Sequence, residues 1–173
     1  MSSTRMERPL LLVMGVLFVA LGYVVVDAFR DKVVDVGDKA PDFQITADNG
    51  RALSRSDFGG RLLVLNFWAT WCPPCRKEMP DLDALHSRFK ERGLVVLAIS
   101  EDEDTGKVRP FISEHKYQFP VFVDPDSKVR KLFRVEGIPR SFIYDRKGRL
   151  AAQSIDMRTM KQFLALLEKA GLR

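Results

Sequence analysis

Two cysteines, and no others, stand three positions apart in the 173-residue chain, where an apolar run gives way to a helical pattern. Arg61–Phe67 (RLLVLNF) reads as a central strand buried on both faces. Trp71-Cys72-Pro73-Pro74-Cys75 follows, and a helix is expected from about Pro73 to Arg92. Its Leu82, Leu85 and Phe89 recur on one face, with Arg76, Lys77, Asp83 and Lys90 elsewhere. Cysteines at i and i+3 across a first helical turn can close a disulfide with little movement. Cys72 falls at the helix N-terminus, where unpaired N–H groups and the dipole favour a thiolate. Lowering a thiol pKa from about 8.5 to about 7 takes it from a few per cent ionised to about half, at ~2 kcal/mol. Pro73 and Pro74 lack only N–H groups that a first turn leaves unpaired, and they stiffen the loop. Cys72 is therefore expected to be the exposed, lower-pKa nucleophile, and Cys75 the sheltered, resolving thiol.

Other uses of two cysteines fit poorly. A zinc site needs four ligands, and only His86, His115 and carboxylates could complete one. Covalent haem attachment needs histidine after the second cysteine, where Arg76 stands. A structural disulfide closing so short a loop stabilises little. No metal is expected, and no cofactor beyond the redox-active disulfide. The net charge of +5 comes from 28 basic and 23 acidic residues. They are interspersed, which reads as a solvated surface and argues against a nucleic-acid partner.

Beyond the second cysteine, Gly93 ends the helix and Leu94–Ser100 is a second apolar strand, so a parallel βαβ unit is implied. A helix near Thr105–Lys116, a strand at Val121–Val123 and a short helix near Ser127–Phe133 follow. Ser141–Tyr144 and Arg149–Ser154 flank the turn Asp145-Arg146-Lys147-Gly148, and a last helix runs from about Met157 to Ala170. Earlier, Gln44–Thr46 and Arg51–Ser54 flank Asn49-Gly50, a hairpin turn. His86 and His115 read as surface or rim residues, Met157 and Met160 as packing residues, and Glu101-Asp102-Glu103-Asp104 as a solvated loop.

Residues Pro9 to Val26 carry no charged side chain. As a helix rising about 1.5 Å per residue they span most of a hydrocarbon core of about 30 Å. Arg5 and Arg8 precede the run, which places the N-terminus inside by the charge rule, weakly, because basic residues also follow it. A transmembrane anchor is the expectation, with a cleaved signal peptide the rival. Val26-Asp27-Ala28 is a tolerable cleavage pattern, but the run exceeds the usual signal core. Either one carries the remaining chain across the membrane. The expected organisation is residues 1–8 cytoplasmic, 9–26 anchor, 27–36 connector and 37–173 a single folded domain.

Asn66-Phe67-Trp68-Ala69-Thr70-Trp71-Cys72-Pro73-Pro74-Cys75 resembles the active-site segment of thioredoxin-like proteins of the TlpA/ResA group. Val36-Gly37-Asp38-Lys39-Ala40-Pro41-Asp42-Phe43 is similar to the opening shared by that group and the peroxiredoxins. The resemblance extends from about Gly37 to the C-terminus. It implies an α/β thioredoxin fold, a central mixed sheet flanked by helices. An N-terminal β-hairpin and an inserted strand–helix unit between about Tyr117 and Arg134 are added to it. It also implies that Pro80 kinks the active-site helix and that Gly137-Ile138-Pro139 is the cis-proline loop, turning the Ile138 backbone toward Cys72. Trp71, Ile138 and Pro139 would then meet a substrate, with Asn66, Pro74 and Pro80 supporting the site. Asn66 stands where cytoplasmic thioredoxins keep a buried aspartate, so proton exchange with the dithiol falls to Glu78, three residues beyond Cys75. Arg140 departs from the threonine common among relatives.

The function so implied is thiol–disulfide exchange with protein thiols and disulfides, by a monomer on the extracytoplasmic (periplasmic) side of the cell membrane. Several members of the group are reductants in cytochrome c maturation or metal-centre assembly. Apocytochrome c or a metal-centre protein, and an upstream membrane electron donor, are the corresponding partners. A thiol peroxidase is one alternative, though Leu65 and Ala69 occupy the places where its proline and threonine stand before the cysteine. A non-catalytic membrane-tethered chaperone or metallochaperone is another.

Overall fold

The computed structural model describes residues 13–22, 34–46, 52–102 and 104–172. Contacts divide the chain into two units, residues 1–33 and 34–173. In the first, residues 13–22 form a helix (α1) that is exposed along its length. Ten residues rise about 15 Å, half of a hydrocarbon core. Among the described residues no helix is long and apolar enough to cross a membrane. The expected span Pro9–Val26 runs past the described residues at both ends.

The second unit is built on one five-stranded sheet, in the order β5-β4-β3-β6-β7. β3 (Leu62–Trp68) is central and buried at every position. It pairs in parallel with β4 (Leu94–Ser100) and antiparallel with β6 (Arg140–Tyr144). β5 (Val121–Val123) extends the parallel half, and β7 (Leu150–Ser154) the antiparallel half. This is the mixed sheet of a thioredoxin-like fold. The added hairpin is β1 (Gln44–Thr46) with β2 (Ala52–Ser54), an antiparallel pair in a separate sheet. Its turn, with Asn49 and Gly50, lies outside the described residues.

Alternation along β3 sorts the core into two layers. Leu62, Val64 and Trp68 share a cluster with Met79, Leu82, Leu85, Phe163 and Leu167. These belong to helices α2 (Pro73–Phe89) and α5 (Met160–Lys169). Leu63, Leu65 and Phe67 face Phe43, Phe58, Phe133 and Phe142 on the other side. Asn66 therefore points toward α2, although it is a polar residue with no exposed surface.

Helix ends depart from the sequence pattern where side chains intervene. α2 stops at Phe89, and a 3-10 turn (Lys90–Arg92) leads to Gly93, whose φ of 83° suits glycine. α3 is Val108–His115, with the preceding Thr105–Lys107 in 3-10 form. α4 (Lys128–Phe133) starts late because Asp124 accepts the N–H groups of Lys128 (2.9 Å) and Arg130 (2.8 Å). α5 begins at Met160 and not at Met157. Thr159 donates its N–H to Gln162 Oε1 (2.9 Å), and Asp81 of α2 accepts that of Met160 (2.8 Å). Pro80 lies inside α2 without ending it.

Candidate active site

β3 ends at Trp68, and four residues later Cys72 becomes the N-cap of α2. Cys72 and Cys75 form a disulfide with their Cα atoms 5.3 Å apart. The backbone N–H of Cys75 donates to Cys72 Sγ (3.3 Å), one of the otherwise unpaired groups of the first turn. Pro73 and Pro74 occupy the first two helical positions. In this oxidised form Cys72 is 3% exposed and Cys75 fully buried. Both sulfurs are thus buried here, and Cys72 is not the exposed group the sequence suggested. The exposed group is Trp71, at 65%.

The Ile138–Pro139 peptide bond is cis. The Ile138 carbonyl oxygen lies 3.9 Å from Cys72 Sγ, a contact rather than a hydrogen bond because a disulfide sulfur carries no proton. Pro139 is buried and Ile138 half-buried. Ile155, just past β7, is 66% exposed at the same end of the sheet, since Ser154 pairs with Ser141. Sequence periodicity gave no sign of it.

Glu78 is 1% exposed, on the buried face of α2 one turn beyond Cys75. Asn66 Nδ2 donates to its Oε1 (2.7 Å) and to Ser141 Oγ (3.0 Å). The Arg158 N–H donates to its Oε2 (2.9 Å). Burial pushes the Glu78 carboxyl up to about 7, against the lowering effect of these two bonds and of the Arg158 charge. The group is thus balanced between acid and base near neutrality. Asn66 cannot titrate, and instead it holds the residue that can. Ser141 and Arg158 were not singled out from the sequence, because both act through folding contacts across distant strands.

The solvated-loop reading holds for Asp104, which is exposed, and is corrected for Glu101 and Asp102, while Glu103 lies outside the described residues. Asp102 is 2% exposed and accepts from Thr70 N–H (2.9 Å), Thr70 Oγ1 (2.5 Å) and Ser100 Oγ (2.7 Å). The Glu101 side chain is likewise 2% exposed and paired with Arg130. Arg140, which begins β6, places its guanidinium over the Phe142 ring (5.0 Å) and donates to Gln153 Oε1 (2.5 Å). Its charge is turned to the face of the sheet away from α2. His115 is exposed, as expected. His86 is half-buried, its Nδ1 has no hydrogen-bond partner, and burial and Lys90 push its pKa down.

A disulfide at the head of a helix, beside a cis-proline loop and over a buried carboxyl, defines a class: the thiol–disulfide oxidoreductases of thioredoxin fold. The chain belongs to the AhpC/TSA family, whose model matches residues 36–153. It is 35% identical over 142 residues to the thiol-disulfide oxidoreductase ResA of Bacillus thuringiensis (strain Al Hakam), covering 82% of each chain. Against ResA of Bacillus subtilis (strain 168) it is 33% identical over 151 residues, covering 84% of each. A thiol:disulfide interchange protein of the thioredoxin family from Chlorobium tepidum TLS matches it in structure with a TM-score of 0.71. That match has 26% identity and covers 79% of this chain and 97% of the other. Its partners are accordingly protein thiols and disulfides.

Proposed function

We propose that the chain is a membrane-anchored reductant acting on protein disulfides outside the cytoplasm, of the kind met in apocytochrome c or in metal-centre assembly. The observation that carries the reading is the Cys72–Cys75 disulfide at the head of α2, with the cis Ile138–Pro139 loop 3.9 Å from Cys72 Sγ and the buried Glu78 carboxyl on the Cys75 face. In the reducing direction the Cys72 thiolate attacks a partner disulfide, and the displaced partner sulfur leaves as a thiolate that takes up a proton. Cys75 then gives its proton to the Glu78 carboxylate and attacks Cys72 Sγ. The Cys72–Cys75 bond forms, the second partner thiol departs, and two electrons have passed to the partner. An upstream membrane donor returns the pair to the dithiol. Trp71, Ile138 and Pro139 meet the partner, with the Ile138 backbone pairing to an extended segment. The uncharged run Pro9–Val26, helical at residues 13–22, supports the anchor.

Two measurements test this. Equilibrated against dithiothreitol or glutathione buffers, the couple should lie nearer the about −270 mV of thioredoxin than the about −120 mV of a strong oxidant. A value near the latter would reverse the direction of electron flow. Protease added outside intact cells should reach the domain after outer-barrier permeabilisation, and failure to reach it while cleaving an external control would overturn the location.

A further inference from the structure

The carboxyl end of β4 places two consecutive acids, and each is bonded to a different loop of the site. Asp102 holds both the N–H and the hydroxyl of Thr70, two residues before Cys72, and is braced by Ser100. Glu101 donates its own N–H to the Trp68 carbonyl (2.8 Å), and its Oε2 receives Arg130 Nη1 (2.5 Å). The same guanidinium donates from Nε to the Val135 carbonyl (3.0 Å) and from Nη2 to the Glu136 carbonyl (3.4 Å), just upstream of Ile138. Arg130 is itself fixed by Asp124 at its N–H, and its carbonyl accepts from Val135 N–H (3.1 Å). The fork therefore ties the end of β4 to the segment that enters the cis-proline loop.

Such an arrangement has no need to exist for the sheet. β4 is already paired through its backbone on both sides, while Glu101 Oε1 is buried without a partner, an unfavourable state for a carboxyl. We propose that Glu101 and Asp102 are positioning residues that set loop 69–72 and loop 135–139 against each other from adjacent places just past the end of β4. They thereby fix Cys72 Sγ and the Ile138 carbonyl at their 3.9 Å separation, where a partner chain would lie. The inference rests on the reading of Ile138–Pro139 as the partner-binding loop.

The two halves are separable by substitution in the full chain. Arg130→Lys keeps the charge but cannot make the planar fork. It should raise KM for a synthetic peptide disulfide roughly fivefold to tenfold, with kcat within about twofold, since small misplacements near reacting groups have large effects. Alkylation of the reduced dithiol by iodoacetamide should be unchanged. Glu101→Gln should reproduce this pattern. Asp102→Asn loosens the loop that carries both Trp71 and Cys72, so it should raise KM and, unlike the other two, also shift the pH profile of alkylation. Backbone amide signals of the oxidised protein report position without any partner. Those of Gly137 and Ile138 should move in Arg130→Lys, and those of Thr70 and Trp71 in Asp102→Asn. Unmoved signals, or equal proportional losses of every activity in all three variants, would overturn the proposal. If the wild type turns over no peptide disulfide, the partner-binding reading fails, and the amide signals still decide the positioning.

Discussion

Glu78 shows what a single side chain can be made to do by its surroundings. An ordinary helix-surface glutamate titrates near 4.5, whereas this one is raised to about 7 because burial disfavours its charge more than Asn66 and Arg158 favour it. Resolution of the mixed disulfide should therefore accelerate as pH rises through about 7, where the carboxylate becomes available. Glu78→Gln should lose that step and slow resolution by about a hundredfold at pH 8, without unfolding. Rapid-quench alkylation over pH 5–9 reads both, and superimposable profiles would reduce Glu78 to a packing residue. The position of Glu78 was legible, because i+3 from Cys75 lies on the same helical face. Its partners were not, since Ser141 and Arg158 meet the Asn66–Glu78 pair only through the sheet and the start of α5.

At the scale of elements, periodicity located strands and helices, while side chains from elsewhere decided their ends. β3 and β4 declare themselves as runs that are apolar on both faces, and Cys-Pro-Pro-Cys marks the head of α2. The start of α5 is different, for it depends on Asp81, a residue of α2 that accepts the Met160 N–H (2.8 Å). Asp81→Ala should cost about 1 kcal/mol, the usual loss of a cap, and Asp81→Asn much less. Urea unfolding should show a lower midpoint with unchanged slope for the alanine variant. An unshifted midpoint would mean that Thr159 and Gln162 suffice. The run of acids at 101–104 misled for the same reason. Four consecutive acids look solvated, and nothing nearby in sequence announces that Arg130 and Thr70 will close on two of them.

For the folded unit as a whole, two buried carboxyls raised to about 7, Glu78 and Glu101, tie stability to pH. Glu101 is raised by burial, with Asp124 adding to the effect and Arg130 opposing it. A carboxyl that holds its proton longer folded than unfolded favours folding fully below about 4.5, and that contribution is lost as pH rises to about 7. The span from 4.5 to about 7 corresponds to at most ~3 kcal/mol per group. The oxidised protein should thus be less resistant to heat at pH 7.5 than at pH 5, and Glu78→Gln and Glu101→Gln should each flatten the profile. A profile that rises over this range would contradict both assignments.

The proposed exchange gives the two cysteines separate roles, Cys72 attacking and Cys75 resolving. Removing the resolving thiol should stall exchange at the mixed disulfide, which needs a second thiolate to finish. The decisive measurement compares Cys75→Ser and Cys72→Ser full-length proteins, expressed in their own compartment and separated without reductant. The Cys75→Ser protein should accumulate a covalent, reductant-sensitive adduct with its partner, and the Cys72→Ser protein far less. Equal trapping by the two, or stronger trapping by Cys72→Ser, would contradict the assignment.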